Sequence, residues 1–186
     1  SDIAALLDGK DLKGAVLVGH SMGCRVVLQA FLNAPERVSA IALVDGSYRG
    51  KSPNPAIENY AEFARELFGQ MFLAPSALGT AAIERAMRLP ASIGSALYPD
   101  TGRWDAANME QALAAVKVPL LVIQTTDVNT EGKRLALRAG ETTPWLDLVH
   151  RHAPQARIEI IPGIGHFPQL EVPDQVNRLL AGLIGA

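Results

Sequence analysis

One serine in this sequence lies in a pattern that can carry nucleophilic chemistry. The segment Gly19-His20-Ser21-Met22-Gly23 follows a short apolar run and precedes an amphipathic stretch, which predicts that Ser21 lies on a tight turn between a buried strand and a helix. Such a turn holds a hydroxyl above the end of a sheet, and the backbone NH groups that begin the helix can stabilise an oxyanion. We therefore predict Ser21 as a nucleophile and the Met22 NH as an oxyanion donor.

A histidine far along the chain could activate this serine. A serine hydroxyl is a weak nucleophile unless a base accepts its proton. His166 comes just beyond a later apolar run. Because parallel strands end at the same edge of a sheet, His166 is predicted to lie near Ser21. We expect the other three histidines to be turn or surface residues: His20, His150 and His152.

The elements that would position these residues are strands buried on both faces. Four short apolar runs, bounded by glycine or proline or rich in β-branched residues, predict such strands in a parallel sheet. They cover residues 15–18, 40–44, 120–123 and 158–161. Apolar residues at helical spacing predict helices that pack on the sheet at 22–33 and 174–183.

The long segment between the second and third strands has a different pattern. Residues 46–116 contain helical patterns separated by proline and glycine, and no strand-like run. We predict a helical cap or lid at 49–116, inserted into an α/β core formed by 1–48 and 117–186. A cluster of three phenylalanines and one methionine in the cap either lines an acyl pocket or holds the cap helices together: Phe63, Phe68, Met71 and Phe72.

Composition and charge exclude several classes of protein. The 186 residues are 48% hydrophobic and 19% charged, which excludes intrinsic disorder. Seventeen basic and nineteen acidic residues give a net charge of -2, so nucleic acids and anionic membranes are not expected partners. No apolar run approaches the length of a membrane span.

The single cysteine limits redox and metal chemistry. Cys24 alone cannot form an internal disulfide or a multi-thiolate metal site, and a lone cysteine fits a reducing, cytoplasmic compartment. It follows Ser21 by one turn on the helix face that meets the sheet, so we interpret it as a core residue and not as a nucleophile. Its neighbour Arg25 is expected to be solvated or to pair with a loop.

The arrangement resembles the α/β-hydrolase superfamily along nearly the whole chain. The resemblance rests on the elbow at 19–23, on Gly165-His166-Phe167 through Glu171-Val172-Pro173, and on the strand order between them. It implies an α/β-hydrolase fold, Ser21 as nucleophile and His166 as general base. It also implies cofactor-free hydrolysis of a carboxylic ester or related acyl bond in a small, apolar substrate. The alternatives are a ligand-sensing protein of this fold, or a C–C hydrolase, lyase or perhydrolase.

Two acids could complete a triad in such a protein. Asp45 directly follows the second strand, and Asp127 follows the third. In the common pattern of the superfamily the acid follows the strand at 120–123, but Val128 stands at the expected position and Asp127 is one residue out of register. Some members carry the acid after the strand that corresponds to 40–44. We favour Asp45 and keep Asp127 as the alternative.

The resemblance covers the carboxyl-terminal two-thirds of such a protein. Several strands precede the elbow in the superfamily, whereas only an amphipathic stretch at 2–12 precedes the strand at 15–18 here. That strand is therefore predicted to form an apolar sheet edge, which would favour pairing with another chain. We expect an amino-terminal companion segment or a second copy of the chain to cover it, and a small molecule as substrate.

Overall fold

The structure is a computed structural model that describes residues 2–48, 50, 56–129 and 131–184. Some residues of the predicted core and cap lie outside the described residues: 1, 49, 51–55, 130 and 185–186.

Six strands and eight α-helices make up the described fold. The strands are β1 (Ala15–His20), β2 (Val38–Val44), β3 (Leu120–Gln124), β4 (Thr126–Val128), β5 (Arg134–Ala136) and β6 (Arg157–Ile160). The helices are α1 (Asp2–Gly9), α2 (Gly23–Asn33), α3 (Tyr60–Gly69), α4 (Ala77–Ala86), α5 (Ala91–Ala115), α6 (Pro144–His152), α7 (Pro168–Glu171) and α8 (Pro173–Ile184).

The central sheet is parallel, as the apolar runs predict. Its strand order is β1-β2-β3-β6, and all three neighbouring pairs are parallel. Strand β1 forms one edge of this sheet, and the side chain of Val18 on it is 48% exposed. The predicted edge is therefore present in the described part of the chain, and what covers it stays a prediction.

The core lies on both faces of the sheet because side chains alternate along each strand. Ile41 and Leu43 of β2 belong to a cluster that includes residues of α2, α5 and α6. Ala42 and Val44 belong to a second cluster, which includes Val176 of α8. The sheet is therefore covered by helices on both sides, which is why its central strands β2 and β3 are mostly apolar and buried.

Only helices occur among the described residues between β2 and β3. They are α3, α4 and α5, which we call the helical segment. The end of α5 packs differently from the rest, since Met109, Ala112 and Leu113 are fully buried in the core cluster beside α2. The boundary of the predicted cap at residue 116 therefore falls beyond the point where the chain has rejoined the core.

A small antiparallel hairpin follows β3. Strands β4 and β5 pair with each other and form a two-stranded sheet of their own.

Among the described helices, none combines the length and the hydropathy that are needed to cross a membrane.

Candidate active site

Ser21 lies on a strained turn between β1 and α2. Its φ of 55° is in the left-handed region, where a residue with a side chain costs roughly 1–3 kcal/mol and persists only if its surroundings hold it. Its backbone NH donates to the Val44 carbonyl oxygen at 2.9 Å, so the turn is tied to the end of β2. The Met22 NH follows directly at the N-terminus of α2.

One of the two glycines of the elbow is required by close packing. A Cβ added to Gly19 would lie 2.4 Å from the Gly23 carbonyl oxygen and 2.8 Å from the Cys24 nitrogen. A Cβ added to Gly23 would meet nothing within 4 Å. The strand and the helix therefore approach each other most closely at Gly19, and this position excludes any side chain.

Three side chains from three different loops form a continuous chain of hydrogen bonds. His166 Nε2 lies 2.8 Å from Ser21 Oγ, and His166 Nδ1 lies 2.6 Å from Asp45 Oδ2. Because a carboxylate only accepts hydrogen bonds, Nδ1–H donates to Asp45, and the serine hydroxyl then donates to Nε2. Nε2 is therefore the atom that can accept the proton of Ser21.

Asp45 is buried but well supplied with donors. Its side chain is 1% exposed and its φ is 43°. Oδ1 accepts from the Thr125 and Thr126 backbone NH groups at 2.7 and 2.8 Å, and Oδ2 accepts from Thr126 Oγ1 at 2.5 Å. Burial alone would raise the pKa of Asp45, but the donors, with His166 foremost, lower it. The carboxylate is therefore held ionised.

The loop that carries His166 is fixed by its backbone. The His166 NH donates to the Met71 carbonyl oxygen at 2.7 Å, and the His166 carbonyl accepts from His20 Nε2 at 2.6 Å. Thr125 Oγ1 donates to the Gly165 carbonyl oxygen at 2.7 Å. His20 thus holds this loop, but it is the last residue of β1 and pairs with Val44, and not the turn residue that the sequence predicts.

Burial determines the proton balance of the His166 imidazole. Its side chain is 2% exposed, and burial, opposed by the hydrogen bond to Asp45 and reinforced by the nearby charge of Arg134, lowers the pKa of His166 to about 4. The imidazole is accordingly neutral at pH 7 and can act as a base.

Asp127 lies apart from this chain of hydrogen bonds. It is a half-buried residue of β4, and burial raises its pKa. In the described part of the chain, its carboxylate makes no hydrogen bond to His166. The geometry therefore brings Asp45, and not Asp127, together with His166 and Ser21.

Cys24 and Arg25 have structural surroundings. Cys24 is fully buried, and burial raises the pKa of its thiol to about 12, which agrees with its interpretation as a core residue. The first of the two expectations for Arg25, that it is solvated, is wrong. Its guanidinium makes two hydrogen bonds to the buried Asp105, at 2.7 and 2.6 Å. Its third bond, to the Ser47 carbonyl oxygen at 3.0 Å, confirms the expected pairing with a loop.

The two remaining histidines lie on α6, away from the triad, whereas one phenylalanine of the predicted cap cluster lies close to it. His150 is exposed and His152 is half-buried on α6. Phe72 stacks on Phe167, with ring centroids 5.2 Å apart, and Phe167 meets the His166 ring edge-on.

Within the helical segment, Phe63 instead contacts Tyr98, which joins α3 to α5. A cavity of about 340 Å³ lies between α3 and α4, lined by Phe68, Phe72, Leu73, Pro75 and Ile83 and also by Ser76 and Thr80. Phe68 and Phe72 therefore line this cavity, whereas Phe63 joins two helices and lines a second cavity together with Tyr98 and Arg134.

Sequence reasoning missed the residues that surround Asp45 from β4 and β5. Thr126 and Arg134 lie in three-residue strands, which are too short for a periodic pattern. The turn residues Asn129 and Gly132, the latter with a φ of 79°, were the local signal for a hairpin.

No metal site accompanies these residues in the part of the chain that the structure describes, since three His, Cys, Asp or Glu side chains nowhere lie together as metal ligands would.

Comparison with known proteins identifies the family. Residues 1–179 match the model of the alpha/beta hydrolase family, and the chain belongs to this family.

Solved structures share the fold over nearly the whole chain. A bromoperoxidase from Bacillus anthracis is 16% identical, with a TM-score of 0.77, over 100% of this chain and 72% of that one. A putative aryl esterase from Burkholderia cenocepacia is 20% identical, with a TM-score of 0.74, over 98% of this chain and 68% of that one.

A curated relative is much longer than this chain. The dihydrolipoyllysine-residue acetyltransferase component of the acetoin cleaving system of Pseudomonas putida is 24% identical over an alignment of 188 positions, which covers 98% of this chain and 48% of the relative. The chain thus spans about half the length of this relative.

Proposed function

We propose that the protein is a serine hydrolase that cleaves a carboxylic ester or a related acyl bond. The observation that carries the proposal is the continuous hydrogen-bonded chain from Ser21 Oγ through the His166 imidazole to Asp45 Oδ2. Family membership and the esterase among the structural neighbours agree with hydrolytic chemistry. An activated serine, a neutral imidazole and a buried carboxylate are the three groups that acyl transfer requires.

The first half of the proposed reaction forms an acyl-enzyme. Ser21 Oγ attacks the substrate carbonyl carbon while His166 Nε2 takes the hydroxyl proton. The buried Asp45 carboxylate stabilises the imidazolium, and the Met22 NH at the start of α2 donates to the oxyanion. Collapse of the tetrahedral intermediate breaks the bond to the leaving alcohol, which takes the proton from Nε2.

The second half returns the enzyme to its resting state. A water molecule gives a proton to His166 Nε2 and attacks the acyl carbon. The second tetrahedral intermediate releases the carboxylic acid, and Nε2 returns the proton to Ser21 Oγ. Each proton that the imidazole receives is passed on, so the residues named balance the reaction.

A small, apolar acyl group is the proposed substrate class. The cavity lined by Phe68 and Phe72 adjoins the ring of Phe167, which contacts His166. We assign residues 49–116 the role of a cap over the sheet edge, with the return to the core within α5. A cytoplasmic location and the lack of a cofactor stay predictions.

Hydrolysis of p-nitrophenyl butyrate tests the proposed function. We expect wild type to release p-nitrophenol and Ser21→Ala to lose at least about 10⁴-fold in kcat, because nothing replaces the nucleophile. Ser92→Ala, which changes an exposed serine on α5, is the matched control and should keep full activity. Equal rates for wild type and Ser21→Ala would contradict the proposal and favour a ligand-sensing role.

A further inference from the structure

A cation that is mostly shielded from solvent lies beside the Asp45–His166 pair, and it has no role in the proposed reaction steps. Arg134, on β5, has a side chain that is only 9% exposed. Its Nη1 lies 3.7 Å from Asp45 Oδ2 and 3.2 Å from His166 Nδ1. Burial of a guanidinium is costly unless it is paired, so its location next to the triad requires a reason.

The contacts of Arg134 have a defined direction. Nη1 donates to Thr126 Oγ1 at 2.7 Å, and Thr126 Oγ1 donates its own hydrogen to Asp45 Oδ2 at 2.5 Å. His166 Nδ1–H already donates to Asp45, and a guanidinium only donates, so the approach of Nη1 to Nδ1 is not a hydrogen bond. Arg134 therefore acts on Asp45 through Thr126 and through a direct ion pair, and on His166 through its charge.

Arg134 is also held from the helical segment. Its backbone NH donates to Gln70 Oε1 at 3.0 Å, just beyond the end of α3. The preceding hairpin turn is closed by Asn129, whose side chain accepts from the Glu131 and Lys133 NH groups. The guanidinium is therefore attached to a fixed part of the chain, and its distance from the imidazole is set by the fold.

We propose that Arg134 is a positioning residue of the triad, which holds the Asp45 carboxylate in place and keeps the His166 imidazole neutral, and so a competent base, in mildly acidic solution. The inference rests on the proposed function above. Its electrostatic part follows from Coulomb's law, because a positive charge a few ångströms from the ring disfavours the second proton on the imidazole.

Several other titratable groups lie near His166 and Arg134. His20 approaches the ring from the end of β1 and Asp45 from the end of β2. Asp127 of β4 interacts with Arg134 and Asp45, and Glu171 of α7 accepts from the Gly165 backbone NH. Glu66 of α3 lines a cavity together with Arg134. Among the described groups that face His166, Arg134 is the cation that keeps its charge. Burial lowers the pKa of His20, which disfavours a charged His20 imidazole.

The pH profile of Arg134→Gln tests the proposal. We expect the acid limb of kcat/KM to move to higher pH by about one unit, because removal of a nearby positive charge makes the imidazole easier to protonate. Arg134→Lys keeps the charge and should keep the wild-type limb. Arg138→Gln removes the same charge from a side chain that is 88% exposed and is the matched control. A merely structural role would lower activity equally at every pH and would overturn the proposal.

A measurement without substrate separates this inference from the proposed function. The NMR titration of the His166 ring is followed in Ser21→Ala and in Ser21→Ala/Arg134→Gln, where no reaction is needed. We expect an upward shift of about one unit in the second protein, and identical titration curves would overturn the inference. If Arg134→Gln does not fold, Ser21→Ala/Arg134→Met is titrated in its place, because methionine keeps an aliphatic stem without the charge. An upward shift of the His166 pKa relative to Ser21→Ala would support the proposal, and an unchanged titration curve would overturn it.

Discussion

The two aspartates that follow neighbouring strands differ in almost every physical respect. Asp45, after β2, is 1% exposed, has a φ of 43° and receives four hydrogen bonds. Asp127, in β4 after β3, is half-buried, and burial raises its pKa. The backbone NH groups of Thr125 and Thr126 point to Asp45, so the turn after β3 supplies donors to the acid after β2. The surrounding donors, more than the strand that carries the acid, determine which carboxylate can support a base.

The largest expected effect tests this contrast directly. Asp45→Asn should lower kcat by about 10⁴-fold, because an amide cannot stabilise the imidazolium and favours the wrong tautomer of His166. Asp127→Asn removes a half-exposed charge in a more polar setting and should change kcat by less than about threefold. Both variants are compared with wild type on p-nitrophenyl butyrate. A crippled Asp127→Asn beside an active Asp45→Asn would reverse the assignment.

The position of Asp45 can be predicted from the sequence, but its hydrogen-bond donors cannot. Asp45 was predicted from its place after an apolar run, since parallel strands end at one edge of the sheet. Its donors were not predictable, because Thr126 is 81 residues away and belongs to a strand of three residues. The sequence could narrow the acid to two candidates, whereas the choice between them depends on contacts that the fold creates.

The short apolar runs predict the central strands of the fold correctly. All four predicted strands are present, but β1 continues through Gly19 and His20, because these residues still pair with Leu43 and Val44 of β2. The run at 15–18 ends where the elbow pattern begins, so hydrophobicity could not reveal this pairing. The buried pair of Arg25 and Asp105 was missed for a related reason, since its partners are 80 residues apart.

A second, smaller effect is expected at the two glycines of the elbow, which differ in how closely other atoms surround them. Gly19→Ala should lower the free energy of unfolding by at least about 2 kcal/mol, because the new Cβ would meet backbone atoms that cannot move without shifting α2. Gly23→Ala adds the same methyl group into open space at the start of α2 and should change it by less than about 1 kcal/mol. Urea unfolding measures both. Equal losses would show that the close approach at Gly19 does not limit the elbow.

The smallest expected effect isolates one hydroxyl beside Asp45. Thr126→Val conserves shape but removes the donor to Asp45 Oδ2 and the acceptor of Arg134 Nη1. One hydrogen bond to a buried carboxylate is worth roughly 1.5–3 kcal/mol, so kcat/KM should fall by about tenfold or more. The loss should be smaller than that of Asp45→Asn, because the two backbone donors to Oδ1 remain.

A surface pair of the same chemistry provides the control for this variant. Thr142 Oγ1 donates to Asp147 Oδ1 at 2.7 Å, but both residues are exposed. Water can replace that hydroxyl, so Thr142→Val should leave kcat/KM unchanged and alter stability by less than about 0.5 kcal/mol. If Thr126→Val were as harmless as Thr142→Val, the buried donors would not be what distinguishes Asp45 from Asp127. The difference between the aspartates would then lie in their distance from His166 alone.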